Sequence, residues 1–394
     1  MSEFAGLTDA SRFMVSHVDT SFVRYLYDQI HWENRLIGIK GARGVGKTTL
    51  ILQRIKMQGY ENQALYVTGD HFYFAEHRLF ELAQSFAQNG GKWLFVDEIH
   101  KYPEWSRELK MVYDLRPDLQ VVFTGSSILD IDRGEQADLS RRCVMYDMQG
   151  LSFREYLGMF KKIQYPVITF DDVLSGKFDS LVQIDHPIAL FREYLENGYY
   201  PFGHDMDYRI RLGQIIDRVI ENDIPYYANL NVSTARKLKH LLNIISKSVP
   251  FKPNYMSLSQ MLEITRPQVK DYLYYMEKAG LIGQLRDETN GIRALGKVEK
   301  IYIDNPSLAS YLADGRPDVG NIRETFFYNQ LRVTQNIRSS SSADFEIDDN
   351  VFEVGGRNKG KKQIASSTHG YVVRDDIEYA NGNIIPLYQF GFGY

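Results

Sequence analysis

Along the first 150 residues, short apolar runs alternate with stretches of helical spacing. Leu36-Ile37-Gly38-Ile39-Lys40 is the first run, and Thr49-Leu50-Ile51-Leu52-Gln53-Arg54-Ile55 follows it with an apolar face. Further runs at 64–68, 93–97, 121–124 and 143–148 predict four more strands. Continuous apolar runs of this kind suit strands buried on both faces. Strands alternating with helices predict a parallel sheet with crossover helices, an α/β domain over about Phe22 to Tyr146. Residues 150–206 read as mixed helix and loop and are taken as an extension of that domain. Within them Phe170-Asp171-Asp172 and Asp185-His186-Pro187 read as helix starts or turns rather than metal sites.

The pattern changes after residue 207. Ser257 to Leu262 predicts a short helix, and Thr265 would cap a second one carrying Arg266-Pro267 in its first turn. Val269, Leu273, Met276 and Leu281 give that helix an apolar face, and Gly280 suits its end. Ile282-Gly283-Gln284-Leu285 and an Asn290-Gly291 turn predict a β-wing. Residues 207–295 are therefore expected to form a winged helix-turn-helix. Arg266, Gln268 and Lys270 would reach DNA from the start of its second helix; the other reading is a winged helix used for packing or protein contact.

The strand at 36–40 runs into Gly41-Ala42-Arg43-Gly44-Val45-Gly46-Lys47-Thr48, which fits the phosphate-binding loop G-x-x-x-x-G-K-[ST]. Strand, glycine loop and helix start form the arrangement this chemistry needs. Glycines let backbone N–H groups close on phosphates, and the helix start adds partial positive charge. Gly41, Arg43, Gly44, Val45, Gly46, Lys47, Thr48 and Thr49 are the expected nucleotide contacts. Lys47 would reach the β- and γ-phosphates, and Thr48 would ligate Mg²⁺. The run Trp93-Leu94-Phe95-Val96 ends in Asp97 and Glu98. Asp97 would hold the metal, and Glu98 would act as general base on the attacking water. His100 is assigned no role. Thr124, ending the strand at 121–124, and Ser126, just after it, are expected at the γ-phosphate or the lytic water.

On these motifs the chain resembles the prokaryotic AAA+ ATPases of the archaeal-ATPase-like group, in which a C-terminal domain of unknown function follows the ATPase domain. Leu94-Phe95-Val96-Asp97-Glu98-Ile99-His100-Lys101 and Phe123-Thr124-Gly125-Ser126-Ser127 match it. So do Asp138-Leu139-Ser140-Arg141-Arg142 and Gly150-Leu151-Ser152-Phe153-Arg154-Glu155-Tyr156. Arg141 stands where the family usually has glycine, and Tyr199 replaces a glycine in Asn197-Gly198-Tyr199-Tyr200-Pro201. The resemblance implies ATP and Mg²⁺ as cofactors and Arg142 as a catalytic arginine acting in cis, in trans or only structurally.

The last hundred residues resemble a restriction-endonuclease-like α+β domain. Glu324 would lie on a helix over Arg323 to Gln335, with Asp344 and Glu353 on adjacent strands joined through Asp348-Asp349-Asn350. Active members of that superfamily carry a lysine two residues after the glutamate, where this chain has Gly355. Lys359, Lys361 and Lys362 follow beyond Gly355-Gly356 and are expected to lie elsewhere, so the site reads as degenerate and nuclease activity is not expected. The Arg357-to-Lys362 cluster would touch phosphates or be a solvated loop.

The expected domains are 1–206, 207–295 and 296–394. Net charge of −4 and pI about 6.2 do not advertise nucleic-acid binding. The single cysteine, Cys143, excludes an internal disulfide framework. No apolar run approaches the roughly 18 residues of a membrane span, and Met1 to Asp9 shows no secretory signal. A cytoplasmic location is the default expectation. The functional expectation is an ATP-driven switch whose nucleotide state repositions the C-terminal domains, with ATP as ligand and a second copy or another protein as partner. The alternatives are a DNA-binding protein or ATP-regulated nuclease, and an interaction module with vestigial catalysis.

Overall fold

A computed structural model describes residues 2–126, 139, 141–231, 233–287, 297–314, 318–360, 364 and 367–394. The chain divides into two compact units, Met1–Gln149 and Gly150–Tyr394. Ser127, Asp138, Ser140, the Asn290-Gly291 turn, Lys361 and Lys362, all named in the sequence reading, lie outside the described residues.

In the first unit the apolar runs become strands and the segments of helical spacing become helices. The order is β1 (Leu36–Gly41), α1 (Lys47–Met57), β2 (Ala64–Thr68), α2 (Leu79–Gln88), β3 (Trp93–Asp97), α3 (Trp105–Leu115), β4 (Gln120–Ser126) and β5 (Val144–Asp147). The strands pair in the order β2-β3-β4-β1-β5, every neighbouring pair parallel. This is the parallel α/β sheet that the runs predict. Gly41 pairs with Ser126 and Thr68 with Asp97, so the carboxyl ends of four strands share one edge. Ligands in open α/β sheets bind at such an edge. Leu94, Val96, Leu109, Val112, Val121 and Phe123 form the core beneath it, each at most 2% exposed.

Residues 150–206 fall in the second unit, not in an extension of the first. The Leu-Ser-Phe-Arg-Glu stretch explains why. Ser152 caps α4 (Phe153–Phe160) in a reciprocal box with Glu155. Phe153 then packs its ring against Phe191, Tyr194, Tyr388 and Phe392, which commits this stretch to the core of the last residues. Thr169 caps the turn of helix at Phe170–Leu174, and Pro187 opens another, as expected of those positions.

The middle of the second unit runs α5 (Ser233–Ser246), α6 (Tyr255–Leu262), α7 (Arg266–Lys278), β6 (Ile282–Arg286) and β7 (Val298–Ile303). Thr265 caps α7 in a box with Gln268, Val269, Leu273 and Met276 are buried, and Gly280 turns the chain at φ +73°. β6 and β7 are antiparallel, and Phe251 bridges to Ile301. Helix α8 (Val319–Leu331) precedes a second sheet of β8 (Ile337–Arg338), β9 (Phe345–Ile347), β10 (Asn350–Gly355), β11 (Gly370–Arg374) and β12 (Ile384–Pro386). Its order is β12-β11-β10-β9-β8; β10, β11 and β12 run parallel, and β9 is antiparallel to β8 and β10. Among the described residues no helix is long and apolar enough to cross a membrane.

Candidate functional site

The loop between β1 and α1 turns through Gly44 at φ +82° and Gly46 at φ +102°, conformations in which side chains are strained. At Gly41 an added Cβ would stand 2.3 Å from the Met148 carbonyl oxygen. Val45 is buried, and its carbonyl accepts from the Arg24 guanidinium, which also donates to the Gln149 carbonyl at 2.7 Å. Lys47 opens α1, and its buried Nζ donates to the carbonyls of Gly41 at 2.8 Å and Ala42 at 2.9 Å. Burial lowers the Lys47 pKa, and the nearby Glu98 and Asp97 carboxylates oppose that shift. Thr49 is exposed on the first turn of the helix.

Asp97 stands at the carboxyl end of β3 and is 4% exposed. One of its oxygens accepts from Thr48 Oγ1 at 2.7 Å and from Tyr66 Oη at 3.0 Å, and the other accepts from Thr124 Oγ1. Burial and the Asp97 charge push the Tyr66 hydroxyl pKa up. Glu98 follows in a left-handed backbone, φ +49°, with its N–H donating to Thr124 Oγ1 at 3.0 Å. Its Oε2 lies 3.4 Å from an Arg43 nitrogen, 3.4 Å from His100 Nε2 and 3.7 Å from Lys101 Nζ. Lys101 also pairs with Asp70 at 2.5 Å, a bond that holds the Asp70 carboxyl below its usual range.

The structure brings Arg43, Lys47 and Thr48 of the glycine loop together with Asp97 and Glu98 at the end of β3. Thr124 belongs to the cluster: it is fully buried, with its hydroxyl bonded to both the Asp97 carboxylate and the Glu98 backbone N–H. Ser126 is 5% exposed, and its N–H donates to His100 Nδ1 at 3.4 Å. Arg142 is not brought to this site. It precedes β5, whose Val144 pairs with Ile37 near the start of β1, so it lies at the amino end of the sheet. There it ion-pairs with Asp114 near the end of α3 at 2.9 Å. Tyr66 is a contact that no motif announced and that the β2–β3 register reveals, while His100 and Lys101 lie in the Leu94–Lys101 motif but were given no role.

Residues 33–157 match the AAA domain family. The AAA domain thus spans the sheet, the glycine loop and the two carboxylates. Residues 188–318 match a domain of unknown function (DUF8612). An uncharacterized protein of Methanocaldococcus jannaschii is 25% identical over 406 residues, covering 91% of this chain and 85% of that protein. AMPPCP-bound DnaA from Aquifex aeolicus shows 13% identity over 64% of this chain and 84% of its own, with a TM-score of 0.31. Cdc6p from Pyrobaculum aerophilum shows 12% identity over 78% and 93%, with a TM-score of 0.28. Likenesses that slight add nothing to what the site itself displays.

A second cluster lies within the Gly150–Tyr394 unit. Lys300 Nζ stands 3.5 Å from Glu324 and 3.2 Å from Asp344. Tyr302 Oη donates to Glu324 at 2.9 Å, and Val354 N–H donates to Asp344 at 3.0 Å. Burial and then Asp344 raise the Glu324 pKa, against Lys300. Glu353 is 1% exposed and meets Lys359 Nζ at 2.5 Å. Lys359 therefore does not lie elsewhere, as its spacing suggested. Its stem crosses Gly355, where an added Cβ would stand 2.5 Å from Lys359 Cδ. Among the described residues no group of three His, Cys, Asp or Glu is arranged to hold a metal ion.

At the start of α7, Arg266 and Lys270 are exposed. Gln268 is also exposed, but its Oε1 accepts from Thr265 N at 2.9 Å. Its side chain is thereby drawn back into the helix cap and away from the outward reach expected of it.

Proposed function

We propose that the AAA domain binds ATP with Mg²⁺ and hydrolyses it, and that nucleotide state repositions the C-terminal segments. The observation that carries this reading is the placement of the Lys47 ammonium and Thr48 of the glycine loop beside Asp97 and Glu98 at the end of β3. Lys47, held by two loop carbonyls, is a buried cation whose charge a phosphate would stabilise. Thr48 and Asp97 fit Mg²⁺, since both are oxygen donors already in mutual contact. The ion would supply charge neutralisation at the phosphates. Glu98 accepts the proton of the attacking water, while Thr124 fixes its backbone. Arg142 enters catalysis only if a second copy brings it to a neighbour's phosphates.

Calorimetry with ATP tests the binding step. Lys47→Ala should weaken ATP binding by roughly 100-fold or more, because a desolvated charge partner is lost. Wild-type affinity in that variant would remove the glycine loop from the reading.

A second reading, DNA binding, is favoured by local charge. Residues 233–303 carry twelve Lys and Arg against six Asp and Glu, in a chain of net charge −4. The order of three helices followed by an antiparallel pair supports a winged-helix reading of this segment. A groove of about 770 Å³ is lined by Lys252, Tyr255, Arg266 and Lys270, and among the described residues none of the three cations has a carboxylate partner. Duplex binding should weaken steeply with salt and fall in Arg266→Ala and Lys270→Ala proteins. Salt-independent retention of DNA would count against it.

A further inference from the structure

We infer that His100 is a positioning residue for Glu98, tying the water-activating carboxylate to the carboxyl end of β4. The inference rests on the ATPase reading and adds a residue to it.

The carboxyl end of β4 reaches Glu98 twice. Thr124 Oγ1 accepts the Glu98 backbone N–H at 3.0 Å, which fixes the left-handed turn that Glu98 occupies. Two residues on, the Ser126 backbone N–H donates to His100 Nδ1 at 3.4 Å. With Nδ1 as the acceptor of that N–H, the neutral ring is assigned its hydrogen on Nε2. Nε2 lies 3.4 Å from Glu98 Oε2, a close approach without hydrogen-bond geometry, on a side chain only 3% exposed. Thus one strand end holds the Glu98 backbone directly and faces its carboxylate through an imidazole.

The surroundings make this placement consequential. Arg43 and Lys101 also approach the same Oε2, at 3.4 and 3.7 Å. Both are long, flexible cations: Arg43 sits on the loop that would take the phosphates, and Lys101 is shared with Asp70. His100 is the short, buried member of the three. It is therefore the group able to keep the carboxylate aimed when the two cations move onto other partners. Because β4 lies between β3 and β1, a displacement of its end is passed to Glu98 at two points.

Two substitutions separate the two contacts of the ring. The amide nitrogen of His100→Gln replaces Nε2 and still faces Glu98. The amide oxygen of His100→Asn replaces Nδ1 and still accepts from Ser126, but it does not reach Glu98. Steady-state ATP turnover and ATP affinity are measured for both, for His100→Ala and for Lys47→Ala. In Asn and Ala variants kcat should fall by about 10- to 100-fold with ATP affinity unchanged, and Gln should recover most of the loss. Equal loss in Gln and Asn, or affinity falling in parallel with kcat, overturns the positioning role. Lys47-dependent turnover unmoved by any His100 substitution overturns this inference alone. Wild-type turnover that Lys47→Ala does not reduce overturns the ATPase reading, and the inference with it.

Discussion

Asp97 in the first carboxylate cluster of this protein and the acids of the second are held in opposite ways. In the AAA domain, Asp97 is bound by three hydroxyls, from Thr48, Tyr66 and Thr124. Neutral donors orient a carboxylate without cancelling its charge, so it remains able to take a hard cation. In the second unit, Glu324 and Asp344 share the Lys300 ammonium, and Glu353 takes that of Lys359. There the chain has supplied its own cations. A metal entering that cluster would first have to displace two ammoniums, those of Lys300 and Lys359. What decides whether a group of acids is poised for a metal is therefore the kind of donor around it, more than the number of acids.

The sharpest way to break the contrast is to neutralise one acid in the AAA domain. Glu98→Gln should keep ATP affinity and lose roughly 10²- to 10⁴-fold in turnover, because an amide does not accept the water's proton. Single-turnover kinetics check this, and wild-type turnover in the variant would remove Glu98 as the base. The matching experiment in the other cluster should change stability instead. Lys300→Met leaves Glu324 and Asp344, both under one-fifth exposed, facing each other without their shared cation. Breaking such a pair costs about 3 kcal/mol. Denaturant unfolding should show the loss while ATP binding is kept. Unchanged stability would mean that the lysine does not neutralise the cluster.

These two sites were unequally legible in the sequence. Asp97 and Glu98 could be found because a parallel strand buried on both faces is a continuous apolar run, and its end is visible. The β9–β10 hairpin was legible for a similar local reason, since Asp348, at φ +51°, turns between two apolar runs. Thr265 and Gln268 were readable as a cap because a capping box has fixed spacing, although the same bond withdraws Gln268 from DNA. Contacts that depend on register between distant strands left no such trace. Nothing in spacing shows that Thr124 bonds the Asp97 carboxylate and the Glu98 backbone, or that Lys300 reaches across to Glu324. Lys359 was misplaced because Gly355 reads as a missing lysine, whereas its bare Cα is the space over which Lys359 runs. The 149/150 division was hidden because Phe153 packs with residues near the chain's other end.

A smaller effect follows from the raised pKa of Glu324. Burial and Asp344 make the folded state hold this proton more tightly than the unfolded state does. The resulting stabilisation is fully present below the ordinary value of 4.5 and is lost as pH rises through the raised folded value. Glu324→Gln is neutral at every pH and lacks this loss. Thermal unfolding of the variant should fall less than wild type between mildly acidic and neutral buffer. A steeper fall in the variant would show that Lys300 dominates and that Glu324 is held ionised.

Arg142 should give the smallest effect, and it serves as the exposed counterpart of both buried clusters. Its guanidinium is 29% exposed and its partner Asp114 is 42% exposed, so water screens the pair. The Arg142 bond lowers the Asp114 pKa, yet neither group lies near the glycine loop, which leaves the sheet at the other end. Arg142→Ala should therefore leave ATP affinity and turnover unchanged in dilute protein, where single copies predominate. A loss of turnover that appears only as protein concentration rises would show that the arginine acts on a neighbouring copy, as catalytic arginines supplied in trans do. A loss independent of concentration would place it at its own phosphates and contradict the register of β5 against β1. Turnover measured across a dilution series, for wild type and variant side by side, separates the three outcomes.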